Sequence, residues 1–415
     1  MASPGNTLTA STARSFRPGF SVVVIYLLRR YVAAAQVGTL TVTLPSGVTL
    51  KHQGACAGPE AVLFIRRWRA LWRMMLGGSI GLARAYMDDD CHSPDIRALL
   101  EFGVQNEKSL AKAAPVTRRP RIFERLRQLR RVNTRHGSRR NIAAHYDLGN
   151  AFYALWLDRG MNYSSALFTC ATRTLEEAQE AKLSRIVDLL DVEPGQSILE
   201  IGCGWGPLAE RLIRQGCLIT GLTLSAEQLD LARVRLRRQA APRNWDIRLQ
   251  DYRDVEGRYD RIVSVEMVEA VGERYWPVYF EKLSQSLTDT GVAVLQAITI
   301  RESRFANYRR RPDFIQRYIF PGGMLPTQEI IQREAARAGL RLTVQESFGT
   351  SYAKTLAEWR RRFLCAWPEI ETLGFDVRFK RMWEYYLSYC EVGFKCGAID
   401  VSLFKLVPIP VKVGS

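Results

Sequence analysis

One strand that runs into a glycine-rich turn constrains the fold of this 415-residue chain more than any other feature. The segment SILEIGCGWG at residues 197–206 is typical of a buried strand and a tight turn, and PLAERLIRQG predicts a helix that ends at Gly216. A second strand, CLITGLTL, leads to a helix that begins after Ser225, where Ser225 and Gln228 have the spacing of a capping box. Strands are also predicted at WDIRLQ, YDRIVSVEM and GVAVLQAITI, with the helical segment YWPVYFEKLSQSL before the last. This alternation predicts a parallel, doubly wound α/β sheet with its ligand at the carboxyl ends of the strands.

The glycine turn itself favours a particular kind of ligand. Gly202, Gly204 and Gly206 follow Glu200 in a GxGxG pattern, and glycines allow the backbone to approach a ligand at a helix N-terminus. The spacing is not GxGxxG, and GLTLS at the end of the second strand has no acid to hold the ribose of NAD. Glu200 at the amino-acid end and Asp251 at the adenine amine suit a nucleoside ligand without phosphates. We therefore expect S-adenosylmethionine; a structural turn or another nucleotide is the alternative.

The chain before residue 196 has a different pattern. Residues 1–17 are rich in small polar residues and are predicted to be frayed, while GTLTVTLPSGVTLKHQG from Gly38 predicts a β-hairpin. Helical patterns continue to about residue 112. We expect a smaller N-terminal α+β domain over residues 18–112, a basic linker or arm over residues 113–140, and a catalytic domain over residues 141–410.

Membrane-spanning and metal-binding classes are disfavoured. The apolar run GFSVVVIYLL is about half of the roughly 20 residues that a membrane span needs, and no signal-peptide cleavage site follows it. It predicts a buried helix and a cytoplasmic protein. Eight cysteines without a CxxC pair and four histidines predict neither a disulfide framework nor a metal site.

The formal net charge of +17 points to an anionic partner. Ten arginines and one Glu lie in residues 118–140, and IRRWRALWRMM at residues 65–75 mixes arginine with Trp and Met. Such segments suit nucleic acid or an anionic membrane surface. The Trp and Met residues are typical of an amphipathic helix at a membrane interface, with its arginines in water. A solvated helix face is the alternative for either segment.

Seven motifs, in order, carry a resemblance to a known family. They are NIAAHYDLGNAFYALWLD…MNYSSALF, EIGCGWG, GLTLSAEQ, LQDYRD, VSVEMVEAVG, IQRYIFPGGMLP and SYAKTLAEWRRRF. Together they resemble the cyclopropane fatty-acid synthase family, which includes mycolic acid methyltransferases and related fatty-acyl C-methyltransferases. The resemblance covers roughly residues 38–407. It implies a Rossmann-like methyltransferase sheet of about seven strands and a lipid-facing N-terminal domain.

The resemblance also implies site residues. Those that would line the S-adenosylmethionine pocket, besides Glu200 of the turn, are Tyr163, Ser164, Gly202, Gly204, Gly206, Thr223, Gln228, Asp251 and Tyr252. Those that would hold a bicarbonate ion beside the methyl-transfer site are Ser165, Glu269, Gln296, Ile298 and Tyr352. The segment NYSS would then be a cofactor and anion cradle and not a nucleophile site.

The chain departs from the family pattern in three places. Ser165 stands where many relatives have Cys, and Gln296 stands where many have His. Both can hydrogen-bond an oxyanion, but neither can carry the positive charge of a histidine, so bicarbonate binding is expected to be weaker. In ARAYMDDDC, Arg84 and Cys91 replace an acid and a tryptophan, which affects details of the substrate domain.

Methyl transfer to an alkene requires water exclusion and alignment, because the sulfonium methyl group is already a strong electrophile. The resulting carbocation can be stabilised by aromatic faces, and a base then removes a proton. We expect Glu269, with Tyr352, Ser165 and Gln296, to organise the anion that takes this proton. Glu266 is the rival base, and a helix-start carboxylate is the alternative role for Glu269.

The leading hypothesis is transfer of a methyl(ene) carbon from S-adenosylmethionine to the double bond of an unsaturated acyl chain of membrane phospholipid, which forms a cyclopropane. The first alternative is a fatty-acyl C-methyltransferase that gives a methylene- or methyl-branched chain. An RNA or protein methylase, and a degenerate non-catalytic protein that binds lipid or nucleic acid, are the others. We expect an anionic membrane surface at the inner face of the membrane and no nucleic acid as partner, with a homodimer as one possible assembly.

Overall fold

A computed structural model of the protein describes residues 18–113, 148–239 and 242–410. The predicted frayed segment 1–17 and the arginine-rich segment 118–140 lie outside the described residues. The predicted domain limits in those regions therefore stay predictions.

The N-terminal domain contains a small sheet flanked by helices. Its helices are α1 (Pro18–Val32), α2 (Arg69–Met87), α3 (Ile96–Gln105) and α4 (Glu107–Ala113). Its strands are β1 (Val37–Thr43), β2 (Thr49–Gln53), β3 (Cys56–Ile65) and β4 (Cys91–His92), in the order β2-β1-β3-β4. β1 and β2 pair antiparallel, so the hairpin prediction is confirmed. β1 and β3 pair in parallel, and β3 and β4 pair antiparallel.

The helix predicted from the apolar run is present as α1, but its burial is not as expected. Tyr26 is 63 % exposed and Leu27 is 49 % exposed. Within the three described ranges, no helix is both long and apolar enough to cross a membrane. The prediction of a buried helix is therefore wrong for the C-terminal half of α1, where the apolar side chains of Tyr26 and Leu27 are exposed.

The arginines of the IRRWRALWRMM segment form ion pairs inside the domain. Arg69 and Arg73 both bind the fully buried carboxylate of Asp90, at 2.6 and 2.8 Å. Arg73 also binds Asp88 at 2.6 Å, and Arg66 binds Asp89 at 2.5 Å. The acidic run DDD, next to Cys91, thus neutralises much of this basic segment.

The catalytic domain is built on a seven-stranded sheet. Its strands are β5 (Ser197–Ile201), β6 (Leu218–Thr223), β7 (Trp245–Leu249), β8 (Tyr259–Val265), β9 (Leu287–Ile300), β10 (Leu340–Ser347) and β11 (Ile399–Pro408). The order is β10-β11-β9-β8-β5-β6-β7. The strands β5 to β9 pair in parallel, which confirms the predicted doubly wound α/β sheet. The sheet is not wholly parallel, because β11 runs antiparallel to both β9 and β10.

Helices cover the sheet and extend beyond it. They are α5 (Asn150–Ala154), α6 (Leu175–Leu190), α7 (Pro207–Arg214), α8 (Ala226–Arg237), α9 (Val268–Val271), α10 (Trp276–Ser286), α11 (Glu302–Arg310), α12 (Gln328–Arg337), α13 (Gly349–Cys365), α14 (Trp367–Thr372) and α15 (Val377–Lys395). A π-helical turn covers Ile315–Ile319, and 3-10 turns cover Pro242–Asn244, Tyr252–Asp254 and Glu273–Tyr275. The helix predicted to close at Gly216 is α7, and YWPVYFEKLSQSL forms α10.

Helix α15 joins the two domains. Arg381 donates hydrogen bonds to the carbonyl oxygens of Tyr86 and Cys91, the latter at 2.6 Å, and its guanidinium lies 4.2 Å from the Tyr86 ring centroid. The Tyr86 hydroxyl donates to Glu384 at 2.9 Å. Buried side chains of both domains belong to one hydrophobic core. The N-terminal domain is therefore packed firmly against the catalytic domain.

Candidate active site

A single cavity of about 2510 Å³ extends from the carboxyl ends of the central strands into the N-terminal domain. Its catalytic-domain wall includes Gly202, Gly204, Thr223 and Tyr352. Its N-terminal wall is mostly aliphatic and comprises, among others, Leu40, Val42, Leu63, Leu71, Met74, Leu99, Leu100 and Val104. The cavity combines a polar end at the sheet with a long apolar end.

The glycine turn forms part of the polar end. Gly202, Gly204 and Gly206 have φ values of 82°, 52° and 81°, in the left-handed region that favours glycine. A Cβ atom added to Gly202 would contact the Met267 side chain, whereas one added to Gly204 would meet nothing within 4 Å. Gly204 lines the cavity, so the open space at its Cα is space for a ligand.

A buried acid and a buried lysine accompany the turn. Glu200 is the penultimate residue of β5, and its Oε2 has no hydrogen-bond partner among the described residues. Burial raises the pKa of Glu200 to about 8, against the opposing charge of Lys182. Burial also lowers the pKa of Lys182 to about 8, and its Nζ lies 3.0 Å from the Ser164 Oγ. Glu200 thus presents an unpartnered carboxyl oxygen at the cavity wall.

The end of β6 and the start of α8 carry two further residues that are expected to line the cofactor pocket. Thr223 donates its hydroxyl to the Gln228 Oε1 at 2.8 Å, and both residues line the cavity. Ser225 accepts from the Gln228 backbone N–H at 3.3 Å, so the predicted capping box is half formed. The Gln228 side chain is drawn to Thr223 instead of the N-cap backbone.

Asp251 is paired with Arg253, and its expected contact with the adenine amine stays a prediction. Its carboxylate accepts hydrogen bonds from the Arg253 side chain, at 2.6 Å from Nη2 and 2.8 Å from Nε. Its neighbours Gln250 and Tyr252 line the cavity, but Asp251 is not one of the described residues that do. Gly206 is also set back from the wall, since its Cα faces Ala232.

The NYSS segment forms one side of the cavity. Tyr163 and Ser164 line it, and the Tyr163 hydroxyl lies 2.9 Å from the Tyr386 hydroxyl. Three aromatic rings, those of Tyr153, Trp156 and Trp359, have centroids within 5.6 Å of the Tyr163 ring centroid. The Tyr163 ring is therefore fixed in an aromatic cluster at the cofactor end.

Three of the expected anion-binding residues converge on Glu266. Its carboxylate accepts from the Ser165 N–H at 2.8 Å, the Gln296 Nε2 at 2.8 Å and the Tyr352 hydroxyl at 2.7 Å. The Ser165 hydroxyl points elsewhere and donates to the Ala166 carbonyl at 2.9 Å. Burial raises the pKa of Glu266, and these three hydrogen bonds and the charge of Lys182 oppose that shift.

Glu269 has a different environment. Its Oε1 accepts a hydrogen bond from the Ile298 N–H, and its Oε2 has no hydrogen-bond partner among the described residues. Burial, together with the nearby charge of Glu266, raises the pKa of Glu269 to about 8. Ser165, Gln296 and Tyr352 thus bind Glu266, whereas Glu269 binds Ile298, and the joint role expected for Glu269 with those three residues stays a prediction.

Strand register explains the difference. Val265 of β8 lies opposite Gln296 of β9, and the Glu266 N–H donates to the Gln296 carbonyl at 2.7 Å. Glu266 is thus held against Gln296 where β8 ends. Glu269 lies one turn later, in α9, and reaches the backbone of Ile298, two residues further along β9.

Lys182 is the site residue that the sequence analysis missed. It is buried on α6, where Leu175, Ala178, Gln179, Leu183 and Ile186 are buried too. A lysine at helical spacing among apolar residues is a signal of a buried charge, and such charges need partners.

In the part of the chain that the structure describes, no group of three or more His, Cys, Asp or Glu could hold a metal ion.

The fold and the site together define an enzyme class. A mostly parallel seven-stranded sheet whose first strand ends in an acid and a glycine turn at a cavity is the arrangement of an S-adenosylmethionine-dependent methyltransferase. The model of the family described as mycolic acid cyclopropane synthetase matches residues 133–404. The chain belongs to this family, and its cofactor is S-adenosylmethionine.

Individual relatives agree with this assignment. The chain is 41 % identical over 361 residues to tuberculostearic acid methyltransferase UfaA1 of Mycobacterium tuberculosis, covering 85 % of this chain and 84 % of the relative. It is 36 % identical over 348 residues to the cyclopropane-fatty-acyl-phospholipid synthase of Escherichia coli K12, covering 81 % and 84 %. The solved structure of mycolic acid cyclopropane synthase CmaA1 complexed with SAH and CTAB has a TM-score of 0.61 and 30 % identity, covering 65 % of this chain and 97 % of that one.

Proposed function

We propose that the protein transfers a one-carbon unit from S-adenosylmethionine to the double bond of an unsaturated acyl chain of a phospholipid, and that the product carries a cyclopropane ring. The observation that carries this proposal is the continuous cavity, which joins the glycine turn to an aliphatic wall in the N-terminal domain. The cyclopropane-fatty-acyl-phospholipid synthase of Escherichia coli K12, at 36 % identity, supports the choice of substrate and product.

The polar end fits the cofactor. S-adenosylmethionine supplies an electrophilic methyl group. Gly204 leaves room for it, and the unpartnered oxygen of Glu200 suits its amino group. Tyr163, Ser164, Thr223, Gln228 and Tyr252 would line the same pocket. Behind the wall, Gly206 would shape the turn, and Asp251, which accepts from the Arg253 backbone N–H at 3.0 Å, would fix the backbone that follows β7.

The apolar end fits an acyl chain. Its aliphatic side chains would remove the hydrocarbon from water, a favourable transfer of roughly 0.8 kcal/mol for each buried CH₂ group. Tyr385, Tyr386 and Tyr389 line the same cavity as the aliphatic wall and Tyr352. Their ring faces can stabilise positive charge that develops on the chain during methyl transfer.

The outer surface of the cavity fits a membrane. Leu27 and Leu76 line the cavity and are 49 % and 51 % exposed, so apolar side chains continue from its interior to the surface. Arg30, Lys108, Arg301 and Arg311 also line it and are exposed. Apolar side chains beside cationic ones suit the hydrocarbon and phosphate layers of an anionic bilayer. We therefore infer peripheral membrane association, while a homodimer stays a prediction.

A second product is favoured by one observation. The relative at 41 % identity is a tuberculostearic acid methyltransferase, and the relative at 36 % is a cyclopropane synthase. Both outcomes use the same methyl transfer. A methylene-branched chain forms in place of the ring if a hydride shifts before the proton is lost, and later reduction of that methylene group gives a methyl branch.

The test is expression in a host with unsaturated phospholipids, followed by proton NMR of the extracted fatty acids. Ring and methylene products have the same mass, but ring methylene hydrogens resonate upfield of other aliphatic hydrogens, and a C=CH₂ group resonates in the olefinic region. Upfield signals that are absent from the empty-vector host support the cyclopropane. Olefinic C=CH₂ signals, or a methyl branch, support the second product, and unmodified lipids contradict both.

A further inference from the structure

We propose that the carboxylate of Glu266 is the resident anion of this active site and takes the proton released after methyl transfer, in the place where family resemblance implies a bicarbonate ion. This proposal rests on the proposed function and names the base of that reaction. It assigns a catalytic role to a residue of the chain itself.

The first argument is that the groups expected to hold bicarbonate already have partners. The Ser165 N–H, the Gln296 amide and the Tyr352 hydroxyl all donate to Glu266, at 2.7 to 2.8 Å. The Ile298 N–H donates to Glu269. A free bicarbonate ion would have to take these donors from the carboxyl groups of half-buried Glu266 and buried Glu269 and would leave those groups unsatisfied, which is costly.

The second argument is electrostatic. Glu269 is buried and Glu266 is half-buried, and the charge of Glu266 already raises the pKa of Glu269. A further anion would add like charge at close range in a region of low dielectric. Lys182 is the buried cation whose charge acts on Glu266, so one carboxylate at this position is balanced without an added ion.

The third argument is conformational. Glu266 has a φ of 51°, in the left-handed region that is unfavourable for a residue with a Cβ. Its N–H bond to the Gln296 carbonyl at 2.7 Å and its three side-chain contacts hold it there. Strain of this kind is typical of active-site residues that must point one way. Here it points the carboxylate at the centre of the donor set and against the cavity.

The chemistry balances with Glu266 as the base. Methyl transfer uses the alkene electron pair for the new C–C bond and leaves the S–C pair on sulfur, so the chain carries a cation. An oxygen lone pair of Glu266 takes a proton from the new methyl group. The C–H pair left behind closes the ring on the cationic carbon or, after a hydride shift, forms a C=CH₂ bond. The carboxyl group ends neutral, still within reach of its three donors.

The test compares two variants of the full-length enzyme in buffer stripped of carbon dioxide, with vesicles of an unsaturated phosphatidylglycerol. Wild-type turnover should be unchanged by the stripping. Glu266→Gln keeps the shape but cannot accept the proton, so turnover should fall by about 100- to 10,000-fold. Glu266→Gly suits the left-handed backbone and vacates the donor set, so added bicarbonate or formate should restore part of its turnover. The same anions should not restore Glu266→Gln, whose amide still fills the space.

Glu371→Gln, at an exposed glutamate of α14, is the matched control and should turn over normally. Thermal melting confirms that each variant is folded. Loss of wild-type turnover on stripping, with recovery in bicarbonate, would overturn the proposal. So would near-normal turnover of Glu266→Gln, or a folded Glu266→Gly that no small anion restores. A wild-type enzyme that modifies no lipid under any condition would instead refute the proposed function.

Discussion

Four ionisable residues line the same cavity: Glu200, Glu269 and Lys182, which are buried, and Glu266, which is half-buried. Burial shifts the pKa of each toward its neutral form, and such shifts concentrate at sites of chemistry. Glu266 differs from the other two acids because three donors bind its carboxylate. We therefore assign Glu266 the charged role and expect Glu269 to be largely neutral near pH 7.

The pH dependence of stability tests the state of Glu269. Its pKa is about 8 in the folded protein, against 4.5 as the ordinary value. A carboxyl whose pKa rises on folding stabilises the fold below its unfolded pKa, and that contribution is lost as the pH rises through the folded pKa. Glu269→Gln imitates the neutral carboxyl and keeps an acceptor for the Ile298 N–H. Urea unfolding should find the two proteins similar near pH 4.5 and the variant more stable at pH 9. A wild-type protein that is the more stable one at pH 9 would contradict this.

At the residue scale, the sequence predicts which side chains lie close together. It predicts less well which hydrogen bonds those side chains form. Ser165, Gln296 and Tyr352 were expected to act together, and the structure brings them together. Whether they would bind Glu266 or Glu269, three residues apart, depends on the register between β8 and β9. Register is set by long-range pairing, so local sequence patterns do not determine it.

Helix α2 shows what a charge pattern can and cannot predict. The segment at residues 65–75 has the composition of an interfacial helix, and Trp72 and Leu76 are indeed exposed. The four arginines of this segment nevertheless bind Asp88, Asp89 and Asp90, more than ten residues along the chain. For the proposed membrane association, the apolar face is therefore the more specific signal in this element, and electrostatic attraction would rest on Arg30, Lys108, Arg301 and Arg311, which also line the cavity.

Flotation with anionic vesicles tests that surface. Leu76→Glu should weaken binding, because it places a charge where an apolar side chain would enter the bilayer. Leu373→Glu is the matched control: this leucine is 46 % exposed, similar to Leu76, and lies at the end of α14 away from the cavity lining. Binding of the wild type should also fall as salt increases, since exposed charges are screened beyond about 8 Å at physiological ionic strength. Equal binding of both variants would remove Leu76 from the membrane surface.

For the whole molecule, the sheet was predictable because its five parallel strands and their helices follow clear periodic patterns. The antiparallel direction of β11 was not predictable from such patterns. It depends on how the chain returns to the sheet through α15, after the helices that follow β10. α15 also explains why one cavity spans both domains: Arg381 and Glu384 fix the N-terminal domain against it, and Tyr385, Tyr386 and Tyr389 line the cavity from the same helix.

The most direct measurement of the central claim follows a labelled carbon. S-adenosylmethionine with a ¹³C methyl group is incubated with the enzyme and vesicles of an unsaturated phospholipid, and the acyl chains and headgroups are then separated and analysed for ¹³C. The wild type should place the label in the acyl chains. Gly204→Asp should not, because its side chain fills the open space at the glycine turn. Gly257→Asp, at a glycine that also has positive φ and open surroundings, should behave as the wild type. Label in the headgroup, or no label in any lipid, would contradict the account.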